Sequence, residues 1–363
     1  MIPWGAPPYQ KEYTNIWKTN SFIAAYDWRL SYLNLEARDQ YFTRLKAYIE
    51  LAFATSNQKV LLVSHSMGSQ VLFYFFQWVE NSEGGGPNWV DKHVDSWINI
   101  SGSMLGALKG VPAVLSGEMA DTAQLNAIAF YGLEKFLSKE ERCQIFRAMP
   151  GISSMLPKGG NAVWGNKTWA PDDLPGQNVS FGTFINFKES NSTQSPANLT
   201  VEESLDYLLK NSDTWYRDMV AASYSHGVAH TAAQVEDNRR DHRTWINPLE
   251  SRLPLAPHMK IYCFYGIGKP TERSYFYRED QDPLTSLNVT IDTGLTRGDV
   301  NHGVIPGEGD GTVSLLSTGY MCAKGWRIKR YNPAGVKIKV YEMPHEPDRF
   351  SPRGGPNTGS SDV

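Results

Sequence analysis

At 363 residues, 41 % of them hydrophobic, the chain is long enough for one large core or two small ones. Its 35 basic and 38 acidic residues intermix to a net charge of −3, which excludes the basic footprint of a nucleic-acid binder. No apolar run approaches the roughly 20 residues of a membrane span, and Met1 is not followed by the basic and then apolar stretches of a signal peptide. In chain order, residues 22–27 read as a strand and residues 38–53 as an amphipathic helix with Leu45, Tyr48, Ile49 and Ala52 on one face. A buried strand is predicted over 59–63, an apolar core helix over 71–79 and a further strand over 94–100. From residue 106 to 258 the strand pattern disappears. Helical pieces at 125–137, 201–210 and 215–223 alternate there with a Gly/Pro/Ser-rich stretch. Strands resume at 260–265 and 336–341, the latter alternating apolar and basic residues like a half-buried edge. The chain thus divides into 20–105, an insertion over 106–258, a second part over 259–350, and a tail over 351–363 that is expected to be disordered.

Chemistry concentrates where the second predicted strand ends, in Val60-Leu61-Leu62-Val63-Ser64-His65-Ser66-Met67-Gly68-Ser69-Gln70-Val71. A strand running through small-x-Ser-x-small into a helix is the pattern of a nucleophile elbow, with Ser64 in place of the usual glycine. Such a turn lifts the Ser66 hydroxyl clear of the sheet and aims the Met67 N–H at a developing oxyanion. The plainer alternative is an ordinary strand-to-helix turn. A nucleophilic serine needs a histidine base and a carboxylate to orient it, in the order Ser, Asp, His on this kind of scaffold. Asp310, in Gly307-Glu308-Gly309-Asp310-Gly311-Thr312-Val313, sits in a Gly-flanked loop that suits that role. A calcium turn is the competing reading, but Glu308 and Asp310 alone fall short of the six to eight oxygens calcium takes. His226 and His230 have i,i+4 spacing without the glutamate or third ligand of a zinc site, so no metal is expected. Asp27 and Arg29 read either as a structural ion pair or as a contact for a carboxylate or lipid phosphate. Trp164, Trp169, Phe181, Phe184 and Phe187 are dense enough to dip into a bilayer interface, although packing within the insertion explains them equally. His65 is expected to point into the sheet.

Five stretches together resemble the lecithin:cholesterol acyltransferase family, and within it the phospholipid:diacylglycerol acyltransferases of the endoplasmic reticulum. They are Ala24-Ala25-Tyr26-Asp27-Trp28-Arg29, the Ser64-to-Gln70 turn, Trp97-Ile98-Asn99-Ile100-Ser101-Gly102, Tyr262-Cys263-Phe264-Tyr265-Gly266, and Gly307 to Val313 with Tyr320-Met321-Cys322-Ala323-Lys324-Gly325-Trp326. The resemblance implies an α/β-hydrolase core, a cap formed by the insertion, and acyl transfer through a serine acyl-enzyme. It assigns Ser66 as nucleophile, Asp310 as triad acid and Met67 as one oxyanion donor, and needs no cofactor. It also implies a disulfide between Cys263 and Cys322, closing a loop of roughly 60 residues worth about 3–5 kcal/mol by chain entropy. Cys143 would then be left free.

Two departures from the family pattern stand out. Its triad histidine follows an Arg-Gly-Gly stretch at the start of the last helix. Here Arg353-Gly354-Gly355 is followed by no histidine before Val363. His345 is the only histidine after Asp310 and so the base that chain order nominates, while its setting, Met343-Pro344-His345-Glu346-Pro347, matches a family histidine outside the triad. Ahead of Phe22 the chain resembles none of the family's membrane helix, first strands or second oxyanion loop, so both ends of the fold are expected to be missing. Six N-x-[ST] sequons, at Asn99, Asn166, Asn178, Asn191, Asn198 and Asn288, suit a lumenal glycoprotein at the endoplasmic reticulum membrane, with Asn99 in a strand and unavailable. The reaction so implied moves a fatty acyl group from phospholipid to diacylglycerol, or to a sterol, at a membrane surface. A phospholipase or lipase of the same fold, or a catalytically dead fragment, remains as an alternative.

Overall fold

The computed structural model describes residues 21–177, 180–187, 197–281 and 285–346. Its centre is a four-stranded, wholly parallel sheet in the order β1-β2-β4-β8, formed by Val60–His65, Val94–Ile100, Lys260–Ile267 and Lys337–Pro344. Parallel strands need crossover connections, and the helices between them supply the covering layers. This is the mixed α/β, α/β-hydrolase-like class expected from the sequence.

Helix α1 (Tyr32–Asp39) packs on α2 (Tyr41–Ser56), and α2 packs against the first strand together with α3 (Met67–Asn81). The last is apolar almost all the way round, and its residues from Ser69 to Gln77 are buried. On one side Phe42 of α2 stacks on Tyr74, with ring centroids 5.2 Å apart. On the other, Phe76 meets Trp97 of β2 edge-on at 5.6 Å. The single helix expected over 38–53 is broken at Gln40, whose left-handed backbone (φ 50°) ends α1. The Glu36 carboxylate fastens the break by accepting the Phe42 and Thr43 amides at 2.9 and 3.1 Å, the donors a new helix leaves open. The buried face is Phe42, Leu45 and Ile49, while Tyr48 is 52 % exposed. Residues 22–27 form no strand. They run extended along the molecule with Ile23 90 % exposed, because no ladder partner reaches them among the described residues.

After β2 the chain passes through α4 (Gly110–Ser116), α5 (Ala120–Ala123), α6 (Ala127–Phe136), α7 (Lys139–Arg147), α8 (Pro150–Ser153) and α9 (Gly160–Trp164). It continues through α10 (Val201–Lys210), α11 (Thr214–Ser223) and α12 (Ala232–Asp237), while α13 (Leu315–Ala323) comes shortly before the last strand, β8. The strandless reading of 106–258 needs correction. A second sheet joins β3 (Ile185–Phe187) to β5 (Thr271–Glu279), with β6 (Val289–Ile291) and β7 (Val304–Gly307) both antiparallel to β5. The expected boundary at residue 258 therefore has one sheet drawn from both its sides. Strand β5 escaped notice because it is buried on both faces and shows no alternation, and because Arg273 interrupts it.

Arg273 is itself buried. It pairs with Asp172 at 2.7 Å and lies over the rings of Trp164 and Phe181, 5.5 and 5.3 Å from their centroids. This accounts for most of the aromatics considered as bilayer anchors. Trp164, Phe181, Phe184 and Phe187 are buried against the second sheet, and only Trp169, 58 % exposed, faces solvent.

One tight passage ties the chain before α1 to the insertion. Gly151, in α8, donates its N–H to the Arg29 carbonyl at 3.1 Å, and a Cβ there would lie 1.8 Å from the Trp28 carbonyl oxygen. Gly151→Ala is expected to lower the unfolding free energy by about 2 kcal/mol or more, read in a denaturant melt, because backbone rather than a flexible side chain must give way.

Candidate active site

The turn after β1 has the strained backbone its sequence predicts. Ser66 adopts φ 50°, ψ −124° between the strand and α3, outside the regions ordinary residues occupy. Its N–H donates to the Ile100 carbonyl at the end of β2 (3.0 Å), and its own carbonyl accepts from Ser69 N–H (3.0 Å), so the strained conformation is held from both sides. Ser66 is half-buried, open enough to meet a substrate. Met67 is the first residue of the helix, where amides have no intrahelical acceptor.

Beneath the turn runs a buried hydrogen-bond chain that sequence reading missed. Trp97 Nε1–H donates to Ser64 Oγ at 2.7 Å, Ser64 and Ser69 hydroxyls meet at 2.9 Å, and Ser69 donates to Asn99 Oδ1 at 2.9 Å. Since Ser69 spends its proton on Asn99, Ser64 must donate to Ser69, and every member of the chain is satisfied. Asn99 also reaches Cys322 Sγ at 3.9 Å. The small residue at position 64 is thus a polar strut as well as a space-saver, and the Asn99 sequon is locked inside it. His65 does not enter the sheet; it is exposed on the face that carries Leu61 and Val63.

Asp310 stands at the same edge. It forms a bridge with Lys269, two residues beyond the end of β4. Its Oδ1 accepts from the amides of Thr312 (2.9 Å) and Val313 (2.8 Å), which fix the carboxylate in place. The flanking glycines are required. A Cβ on Gly309 would sit 2.5 Å from Thr271 Oγ1, and Gly311 has φ 90°. Glu308 turns away from Asp310 and accepts the Gly268 N–H. Strand β2 separates β1 from β4, so the ends of those two strands are about two strand spacings apart, roughly 10 Å, and Asp310 is bridged to Lys269 just beyond the β4 end. His345, just past β8, donates its N–H to the Ile267 carbonyl at 2.8 Å and so lies beside the end of β4 as well. Residues 347–363, including the stretch after Arg353, lie outside the described residues.

The remaining candidates sort clearly. Asp27 is paired with Arg29 (2.8 Å) and Arg38 (3.0 Å), and the Arg29 guanidinium holds its carboxyl well below the usual range. That is the structural pair among the two readings. Burial and the nearby Lys158 ammonium push His226 down to about 3, and its Nε2 has no hydrogen-bond partner among the described residues. No group of three or more His, Cys, Asp and Glu able to hold a metal occurs among the described residues. A cleft of about 600 Å³ between α2 and residues 84–93 lies by the start of β2, at the opposite end of the strands from Ser66.

Cys263 and Cys322 are disulfide-bonded, with Cα atoms 6.4 Å apart. Cys143 is free and buried, and burial pushes its thiol up to about 11. Among the sequons, Asn166, Asn198 and Asn288 are exposed. Asn178 and Asn191 lie outside the described residues. No described helix is long and apolar enough to cross a membrane.

Residues 14–362 match the lecithin:cholesterol acyltransferase family. The chain is 49 % identical over 342 residues to a Schizosaccharomyces pombe protein named phospholipid:diacylglycerol acyltransferase, covering 93 % of this chain and 53 % of that protein. A Saccharomyces cerevisiae protein of the same name is 47 % identical over 92 % of this chain and 50 % of its own length. An Arabidopsis thaliana protein named phospholipid:diacylglycerol acyltransferase 1 is 33 % identical over 90 % and 60 % respectively. The chain spans about half the length of the two fungal relatives. With a match over nearly all of its residues, the chain belongs to the lecithin:cholesterol acyltransferase family.

Proposed function

We propose that this chain carries the catalytic centre of a lipid O-acyltransferase that moves a fatty acyl group from a phospholipid to diacylglycerol, forming triacylglycerol through an acyl-Ser66 intermediate. The observation that carries the reading is the strained Ser66 backbone at the end of a parallel strand, with Asp310 fixed at the same edge. The names of the fungal relatives supply the substrate pair.

Ser66 Oγ attacks the ester carbonyl of the phospholipid while its proton passes to a histidine imidazole oriented by Asp310. The Met67 N–H donates to the oxyanion. Collapse expels lysophospholipid, which takes the proton, and leaves the acyl group on Ser66. The acceptor hydroxyl then attacks the acyl-enzyme, gives its proton to the imidazole and regenerates Ser66. The family pattern places that imidazole beyond Arg353-Gly354-Gly355, where residues 356–363 hold no histidine; within the chain His345, beside the end of β4, is the histidine that follows Asp310. Transfer in place of hydrolysis requires water to be kept from the acyl-enzyme, and the insertion between β2 and β4 is suited to that task. The disulfide and the exposed sequons at Asn166, Asn198 and Asn288 support a lumenal setting at the endoplasmic reticulum membrane.

The test is incubation with vesicles holding acyl-labelled phospholipid and unlabelled diacylglycerol. Labelled triacylglycerol is the expected product. Labelled free fatty acid alone would make the chain a hydrolase of the same fold, and neither product would make it non-catalytic.

A further inference from the structure

Lys158 lies where the insertion touches the helix that begins at Ser66, and it is fully buried. Its Nζ donates to Gln70 Oε1 at 3.2 Å and to the Ser154 carbonyl at 2.8 Å. Gln70 is four residues past Ser66, one turn along α3 on the same face, and helical side chains lean back toward the N-terminus. Gln70 Nε2 in turn donates to the Ser103 carbonyl, three residues beyond the Ile100 carbonyl that accepts the Ser66 N–H. The main chain at Lys158 is fastened too. Its N–H donates to the Leu105 carbonyl (3.0 Å), and its carbonyl accepts from Trp164 Nε1 (2.8 Å). By helix rise and side-chain length the ammonium lies on the order of 10 Å from the Ser66 hydroxyl, inside protein. A neutral donor would satisfy the same two acceptors without the cost of desolvating a cation, so the charge itself calls for an explanation.

We propose that Lys158 is a positioning residue that sets the start of α3 through Gln70 and supplies a buried positive charge to the negative charge developing at Ser66 during acylation. The proposal rests on the Ser66 acyl-enzyme reading above. Two other titratable groups face Lys158. Glu250 attracts the ammonium, and His226 is held neutral beside it. Burial draws the lysine down to about 7, against the pull of Glu250. The charged form therefore prevails below that pH and is lost above it. The neutral amine keeps two N–H donors, which is what its two acceptors require, so the fold survives the loss of charge. One charge at this distance and an effective dielectric of about 20 changes a rate on the order of tenfold.

The test is the rate at which a fluorophosphonate labels Ser66 between pH 5.5 and 9, in the native chain, Lys158→Met and Lys158→Arg, each with a thermal melt. The native rate is expected to fall on the basic side, above about pH 7. Lys158→Met should label about tenfold more slowly below pH 7, with no basic fall, while still melting in one cooperative transition, at a lower temperature because two buried acceptors lose their donor. Lys158→Arg should keep the faster rate and lose the basic fall, since its guanidinium does not titrate there. A folded Lys158→Met with the native profile overturns the proposal. So does a native chain without a basic fall, whatever the variants do. A native chain that takes no label overturns the Ser66 reading along with it, whereas a labelled chain whose profile neither substitution moves overturns the Lys158 assignment alone.

Discussion

Ser66→Ala is expected to abolish both fluorophosphonate labelling and acyl release from phospholipid, lowering the rate by at least about 10⁴-fold while leaving the chain folded. The hydroxyl is the one atom the substitution removes. Both backbone bonds that hold the turn, from Ser66 N–H to Ile100 and from Ser69 N–H to the Ser66 carbonyl, are retained. The hydrogen-bond chain below the turn runs through Ser64, Ser69 and Asn99 and does not pass through the Ser66 side chain. A melting curve superimposable on the native one, with activity gone, is therefore the outcome a nucleophile predicts. An ordinary strand-to-helix turn predicts no change in either measurement. Asp310→Asn makes the companion case. The amide keeps an oxygen for the Thr312 and Val313 amides, so the loop survives, but the charge that orients and stabilises an imidazolium is gone. A loss on the order of 10⁴-fold is expected, with little change in stability.

The second large effect falls on stability. Replacing Cys263 and Cys322 together by serine is expected to lower the unfolding free energy by about 4 kcal/mol, measured in denaturant with and without reductant. The bond spans 59 residues of sequence and joins central strand β4 to helix α13, so the unfolded chain gains the freedom of a long open loop when it is cut. Both sulfurs are buried, and the Cys322 sulfur takes a contact from Asn99 Nδ2. Loosening it therefore reaches the polar struts under Ser66. Reductant should destabilise the native chain and leave the double variant unmoved. Equal native melts in the two conditions would mean the bridge contributes nothing.

Some of this architecture is written locally in the chain. Steric strain at Ser66 needs only a strand, two small neighbours and a helix, all within 12 consecutive residues, so the turn is legible in order. The helix at Val201–Lys210 is equally local, since Thr200 and Glu203 form a reciprocal cap and the apolar stripe follows. The Gly-rich loop around Asp310 carries its geometry in its own composition. Other features depend on partners far away in sequence. Gln40 breaks a plausible helix because the Glu36 carboxylate offers the next turn a better arrangement. Residues 22–27 have strand composition but no strand beside them, and composition cannot supply a ladder. Strand β5 is recognisable only once β3, β6 and β7 close around it and Asp172 neutralises Arg273. Lys158, in an unremarkable Pro-Lys-Gly-Gly run, acquires meaning solely from Gln70, Ser154 and the burial that surrounds all three. Short-range backbone strain and capping belong to the chain segment itself, whereas burial, pairing and the charge state of an enclosed lysine belong to the contacts the fold creates.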